Sequence, residues 1–230
     1  MKTILLLHGA IGAKDQMIPI EKVLSTDFSV FSLNFSGHGG NEINGNFSIE
    51  KFADEVVDFL TKKHLTKVSI FGYSMGGYVA LYLANHYPEK IESVITLATK
   101  FQWDNDIAAK EIKMLQPEII EEKLPTFAQQ LAERHHPIDW KMVLEKTADM
   151  LVEMGRQNPL QPTDFKSIQC PVLLMLGDRD KMVSLAETVE VYNLLASSQL
   201  AVLPKTSHPI EQVDVHDIFY YAKKFIRTNL

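Results

Sequence analysis

In the stretch GYSMGG, residues 72–77, one hydroxyl nucleophile, Ser74, stands among three glycines directly after the apolar run KVSIF. A nucleophile at a sharp strand-to-helix turn must take strained backbone angles, and neighbouring Cβ atoms would collide with the strand or with the helix that follows. Gly72 and Gly76 relieve that crowding, and the helix start in YVALYLANHYP offers free N–H groups and a positive dipole end. Negative charge near Ser74 is therefore stabilised. A serine hydroxyl still attacks poorly unless a base within hydrogen-bond reach removes its proton. His208 is the candidate, because it follows the apolar run LAVLP in the loop PKTSHPIEQ, where the carboxyl end of a strand can carry an imidazole over Ser74. His64, His86 and His216 lie in or beside amphipathic helices and read as surface residues. An imidazole base needs an acid to fix its tautomer, and the turn LGDRDKMV offers Asp178 and Asp180.

These groups must be brought together by the elements around them. Short runs rich in Val, Ile, Leu and Phe recur: TILLLHG, FSVFSLNF, KVSIFGYS, IESVITLAT, CPVLLMLGD and LAVLP. Their hydrophobicity is continuous rather than alternating, which implies strands covered on both faces, as in a parallel sheet. Helical patterns separate them. In SIEKFADEVVDFLTKKH the residues Ile49, Phe52, Ala53, Val56, Val57 and Leu60 share one face, Ser48 suits the N-cap, and Lys62 and Lys63 suit the C-terminal end. The pattern returns in DVHDIFYYAKKFIRTNL. The expectation is an α/β fold, a doubly wound, mostly parallel sheet of about six strands. Residues 100–165 break the rhythm with helical stretches punctuated by Pro117, Pro125 and Pro137, so an all-helical insertion is expected there, between core segments 1–99 and 166–230.

Together the strand-turn LLLHGA, the turn GYSMGG, the late strand ending LGDRD and the final TSHPIEQ resemble the α/β-hydrolase fold superfamily over nearly the whole chain, as a serine-nucleophile, esterase-like member. That resemblance implies that Ser74 is the nucleophile and that the triad runs in the order Ser, acid, His. The family's spacing after this strand selects Asp180, with Asp178 left as a turn residue, while similar members that carry the acid just past the preceding strand keep Asp104 and Asp106 as outside candidates. It assigns one oxyanion donor to the N–H of Met75 and places the other at the N–H of Ala10, in HGAIGA, with His8 holding that loop. It also makes the insertion a cap over the site, where Phe101, Trp103, Phe127 and Trp140 are aromatic candidates for substrate binding, and Met114, Met142, Met150 and Met154 could add adaptable surface. LNFSGHGGNE departs from the family's Pro-Gly-x-Gly loop by Ser36, and His38 in that loop reads as structural.

A chain of 230 residues, 46% of them hydrophobic, can bury a large core without disulfides. Its formal charge of −6 comes without a Lys/Arg cluster, which argues against nucleic acid or an anionic membrane as partner. The single cysteine, Cys170, points to a reducing cytoplasm. The run TILLL is short for a signal peptide and is broken by His8, and no apolar run approaches the roughly 20 residues that span a bilayer. Adjacent histidines such as His135 and His136 point in different directions on a helix, so a metal site there is not expected, and neither a phosphate fingerprint nor a dinucleotide motif is present, so no cofactor is expected either. The expected activity is that of a serine hydrolase, a carboxylesterase cleaving a small or medium carboxylic ester through an acyl-enzyme, with a small molecule as substrate and the protein a monomer or small homo-oligomer. Thioester, lactone, amide or carbon–carbon bond hydrolysis on the same triad stays open, as does a ligand-binding protein that lacks turnover.

Overall fold

The computed structural model describes residues 1–228; Asn229 and Leu230, the end of the last expected helix and of the second core segment, lie outside the described residues. The strands are β1 (Thr3–Leu7), β2 (Ser29–Ser32), β3 (Val68–Tyr73), β4 (Ile91–Leu97), β5 (Val172–Gly177) and β6 (Ser198–Leu203), and they form one sheet in the order β2-β1-β3-β4-β5-β6. Every pairing is parallel.

Why the apolar runs are continuous is visible strand by strand. In β1, Leu5 and Leu7 enter one hydrophobic cluster while Ile4 and Leu6 enter a second; in β5, Val172 and Leu174 face the first, Leu173 and Met175 the other. Side chains two apart share a face, so a strand buried on both faces needs an apolar residue at every position. The helices α1 (Ile18–Leu24), α2 (Ile49–Lys62) and α3 (Met75–His86) divide between these faces. From α1, Ile20 and Leu24 join the cluster of Ile4 and Leu6, whereas α2 and α3 supply Phe52, Val56, Tyr78 and Val79 to the cluster of Leu5 and Leu7. The Ser48 hydroxyl caps α2 by accepting the Lys51 N–H at 3.1 Å.

Between β4 and β5 the described chain is helical: α4 (Asn105–Glu111), α5 (Pro117–Lys123), α6 (Pro125–His135), α7 (Trp140–Arg156) and α8 (Pro162–Ser167). The prolines of α5, α6 and α8 sit in the first turn, where a missing N–H costs nothing. Helix α7 does two jobs. Val143, Met150, Leu151 and Met154 join the main cluster, while Trp140 and Leu144 form a small one with Ile120, Ala128 and Leu131. After β5 come α9 (Leu185–Leu194) and α10 (Val215–Thr228), the latter laying Ile218, Ala222, Phe225 and Ile226 on the face that α1 covers. Among the described residues no helix is long and apolar enough to cross a membrane.

Candidate active site

The site is built at the carboxyl ends of β1, β3, β5 and β6. Ser74 lies between β3 and α3 with φ 49° and ψ −117°, a left-handed conformation that a non-glycine residue holds only where its surroundings over-determine it. Here the Ser74 N–H donates to Leu97 O at 2.8 Å, and Ser74 O accepts from the Thr99 hydroxyl at 3.0 Å. The glycines answer to sterics. A Cβ on Gly72 would lie 2.3 Å from Gly76 O, and one on Gly76 would lie 2.4 Å from Leu7 O. The turn thus brings α3 down onto the end of β1, next to the loop that carries Ala10.

That loop is held from inside. The Phe35 N–H donates to His8 Nε2 at 3.3 Å, so the ring proton sits on Nδ1, which donates to Gly9 O at 2.8 Å. Gly9 O belongs to the peptide unit that carries the Ala10 N–H, and His8 therefore fixes the plane of that donor. The Met75 N–H starts α3, where the first amides of a helix lack intrahelical acceptors.

His208, in the loop after β6, meets Asp180, three residues after Gly177, the last residue of β5. His208 Nδ1 donates to Asp180 Oδ2 at 2.8 Å, and the carboxylate's other oxygen accepts the N–H groups of Met182 and Val183 at 2.8 and 2.9 Å. The Asp180 side chain is 0% exposed. Burial pushes its carboxyl upward, but the hydrogen bond and charge of His208, with the two amides, outweigh that and hold it below the usual carboxylate range. With Nδ1 committed to an acceptor, Nε2 is left as the basic nitrogen. The Tyr73 hydroxyl donates to His208 O at 3.1 Å and steadies the loop. Asp178 is elsewhere: it accepts the Thr206 N–H at 3.2 Å and fastens the turn after β6. Asp104 caps α4, accepting the Ile107 N–H at 2.7 Å.

A cavity of about 690 Å³ joins these pieces; Ala10, Ser74, Met75 and His208 all line it. No hydrogen bond joins Ser74 Oγ to His208 among the described residues; such bonds commonly close only in the substrate complex. Most of the wall is apolar and comes from the helical insertion and the turn after β5: Leu115, Ile120, Leu124, Met150, Met154 and Val183. Of the four aromatic residues expected there, Trp103 and Phe127 line the cavity. Phe101 and Trp140 do not, which corrects that expectation. Phe101, 2% exposed, packs edge-on against Phe165 while its N–H donates to Glu187 at 3.0 Å. Trp140 is drawn into the small cluster at the start of α7. Met114, Met150 and Met154 line the cavity, Met150 and Met154 also packing in the main cluster; Met142 is not among its lining residues and is 47% exposed.

Residues 2–141 match the family model described as alpha/beta hydrolase fold. The chain belongs to this family. As an α/β hydrolase it is 26% identical over 233 residues to a Bacillus subtilis (strain 168) protein carrying the provisional name 2-succinyl-6-hydroxy-2,4-cyclohexadiene-1-carboxylate synthase, covering 91% of this chain and 84% of that one. It is 25% identical over 225 residues to the pimeloyl-[acyl-carrier protein] methyl ester esterase of Chromobacterium violaceum, covering 88% of this chain and 83% of the relative. Among solved structures, the enol-lactonase from Burkholderia xenovorans LB400 superposes with a TM-score of 0.81 at 18% identity, over 98% of this chain and 91% of the other. That likeness shows the shared fold.

Some residues of this α/β hydrolase's site carry no local sequence signal. Lys100, on the cavity wall, faces Glu111 at 3.7 Å and Glu187 at 4.0 Å. Arg134 contacts Asp15 at 3.1 Å and Glu211 at 3.9 Å. Three buried histidines form a row, with ring centroids 5.1 Å apart for His8 and His38 and 5.8 Å for His38 and His135. Burial is the main reason that all three stay neutral, and it pushes His8 down to about 4. His38, read as structural, donates from Nδ1 to Ser36 O at 3.0 Å.

A pH dependence follows. Below the ordinary histidine value of 6.5 the unfolded chain takes up protons that the folded protein refuses until about pH 4 in the case of His8. Stability is therefore present near neutrality and falls as pH drops from about 6.5 towards 4. His8 by itself accounts for about 2 kcal/mol at pH 5. Urea unfolding at pH 7 and pH 5 checks this, and an unchanged midpoint would contradict it.

Proposed function

We propose that the protein is a serine hydrolase, a carboxylesterase for a small or medium ester with an apolar acyl group, working through an acyl-enzyme. One observation carries the reading: Ser74 and His208 face the same apolar cavity while His208 is bound through Nδ1 to the enclosed carboxylate of Asp180. In this reading Ser74 Oγ attacks the acyl carbonyl as His208 Nε2 takes its proton. The carbonyl oxygen becomes an oxyanion held by the N–H groups of Met75 and Ala10, the largest catalytic contribution in such sites. His208 returns the proton to the departing alcohol, and water, activated by the same nitrogen, releases the acid and restores Ser74. Asp180 orients the imidazole and stabilises the imidazolium. The helical insertion serves as the cap that shapes the acyl pocket, and the name of the Chromobacterium violaceum relative favours an ester as the bond cleaved.

A second reading concerns the substrate's far end. Lys113 and Lys123 line the cavity and have no carboxylate partner among the described residues, which favours an acyl chain that ends in a negative charge. The test of the main reading needs no knowledge of the substrate. The intact protein is treated with a fluorophosphonate and digested, and the adduct is located by mass spectrometry. A single adduct on Ser74 is expected. A folded protein that stays unlabelled would favour a ligand-binding protein without turnover. Paired neutral and carboxylate-terminated esters then separate the two substrate readings by KM.

A further inference from the structure

The segment that carries the Ala10 N–H is short of internal support. Within it, Gly12 N–H donates to Gly9 O at 3.2 Å, and Ile11 takes φ 52°, unfavourable for a β-branched residue. Such a segment keeps one conformation only if something outside it clamps it. His8 clamps one side, at Gly9 O. The other side is held from the helical insertion, more than a hundred residues along the chain.

His135 ends α6 and its ring is 0% exposed. The Gly39 N–H, which can only donate, points at His135 Nδ1 at 3.1 Å, so the ring proton is on Nε2. Nε2 in turn donates to Ile11 O at 3.0 Å. The two imidazoles thus hold the carbonyls of Gly9 and Ile11, on either side of Ala10, and the torsions between the two peptide planes have little freedom left. Next to His135, Arg134 reaches Asp15, beyond the same loop, and Glu211, three residues after His208. One helix end therefore touches both the Ala10 loop and the loop that bears the base.

We infer that His135 is a positioning residue for ester hydrolysis: through Ile11 O it holds the Ala10 amide where the oxyanion forms, and so couples that donor to the placement of the insertion. The inference rests on the serine-hydrolase reading above. An oxyanion donor works only when preorganised to within about half an ångström, and loss of one whole donor costs about 10²–10³-fold in rate. A donor freed to wander loses part of that, and its loss falls on kcat because the oxyanion exists only after attack.

The test compares wild type, His135→Ala and His135→Gln, whose amide can restore a donor to Ile11 O. In His135→Ala, kcat is expected to fall about 10-fold or more with KM within about 2-fold, and His135→Gln is expected to lie between. Hydrogen exchange followed over residues 7–13 is expected to quicken in His135→Ala while the peptide covering β5 keeps its protection. Loss confined to KM, or wild-type kcat in a folded His135→Ala, overturns the inference. If the alanine variant does not fold, His135→Gln decides: a partial fall in kcat accompanied by quickened exchange over residues 7–13 supports it, and wild-type kcat, or a fall in kcat with normal exchange there, overturns it. Should wild type take neither ester nor phosphonate, the hydrolase reading fails by itself. The exchange comparison needs no substrate, so unchanged exchange in His135→Ala still overturns the tether and quickened exchange still supports it.

Discussion

Replacing Ser74 by alanine is expected to lower ester turnover by at least about 10³-fold while leaving the fold unchanged. The two halves of that expectation have separate grounds. The serine hydroxyl makes no hydrogen bond among the described residues, so its removal leaves no buried partner unsatisfied; what remains is the backbone, whose contacts to Leu97 and Thr99 do not involve the side chain. The melting temperature of Ser74→Ala should therefore stay close to wild type. Ser74→Gly should melt higher, because a residue at φ 49° costs of order 1–3 kcal/mol that glycine largely avoids. Asp180→Asn gives the companion measurement. An asparagine can satisfy either His208 or the amides of Met182 and Val183 only by turning an NH₂ toward some other donor, so the imidazole is left in the wrong tautomer or unheld. A loss of about 10²–10⁴-fold in kcat is expected, and Ser74→Ala with Asp180→Asn should be no worse than Ser74→Ala alone, since the groups act as a unit. Retention of more than a few per cent of activity in purified Ser74→Ala would end the assignment of the nucleophile.

How far the site is legible in the chain depends on whether a residue's partner is close in sequence. The Ser74 turn is legible because its requirement is local: strand, glycines and helix are contiguous. The same holds for Ser48 at the start of α2, whose acceptor role is settled three residues away. The strands are legible because burial on both faces leaves no polar gap in runs such as VLLMLG. What is not legible is which side of an insertion helix meets which neighbour. Phe101 and Trp103 are two residues apart after β4, yet one lies in the core against Phe165 and the other on the cavity wall. Trp140 shares the composition of a pocket residue and packs instead on Leu131 and Ile120. His135 is the extreme case, because its two partners are 96 and 124 positions away and neither Gly39 nor Ile11 announces a need for an imidazole. Contacts between the insertion and the core are specified by shape at long range, and periodicity carries no record of them.

Gly76→Ala is expected to destabilise the protein by at least about 3 kcal/mol, against the ordinary preference of a helix for alanine. In an unconstrained helix that change would stabilise by up to about 1 kcal/mol. Here the new methyl carbon would stand 2.4 Å from Leu7 O and 2.7 Å from His8 O, and both are backbone atoms at the end of a central strand. No side chain can rotate away to make room, so either α3 lifts from the sheet or β1 gives way. For a domain of this size the cost corresponds to roughly 6–12 °C in melting temperature. Gly45→Ala is the control: Gly45 has φ +75° but nothing within 4 Å of a built Cβ, so it tests backbone conformation without crowding and should cost only about 1 kcal/mol. Equal stability of Gly76→Ala and wild type would mean that the approach of α3 to β1 is looser than these distances. That approach also sets the chemistry, because the carbonyls that exclude a methyl at Gly76 lead directly into Gly9 and Ala10, while Gly76 follows Met75. The gap that admits only a hydrogen is thus the gap across which the two proposed oxyanion donors face one cavity, and a Gly76→Ala protein that still folds at low temperature should lose kcat more than KM.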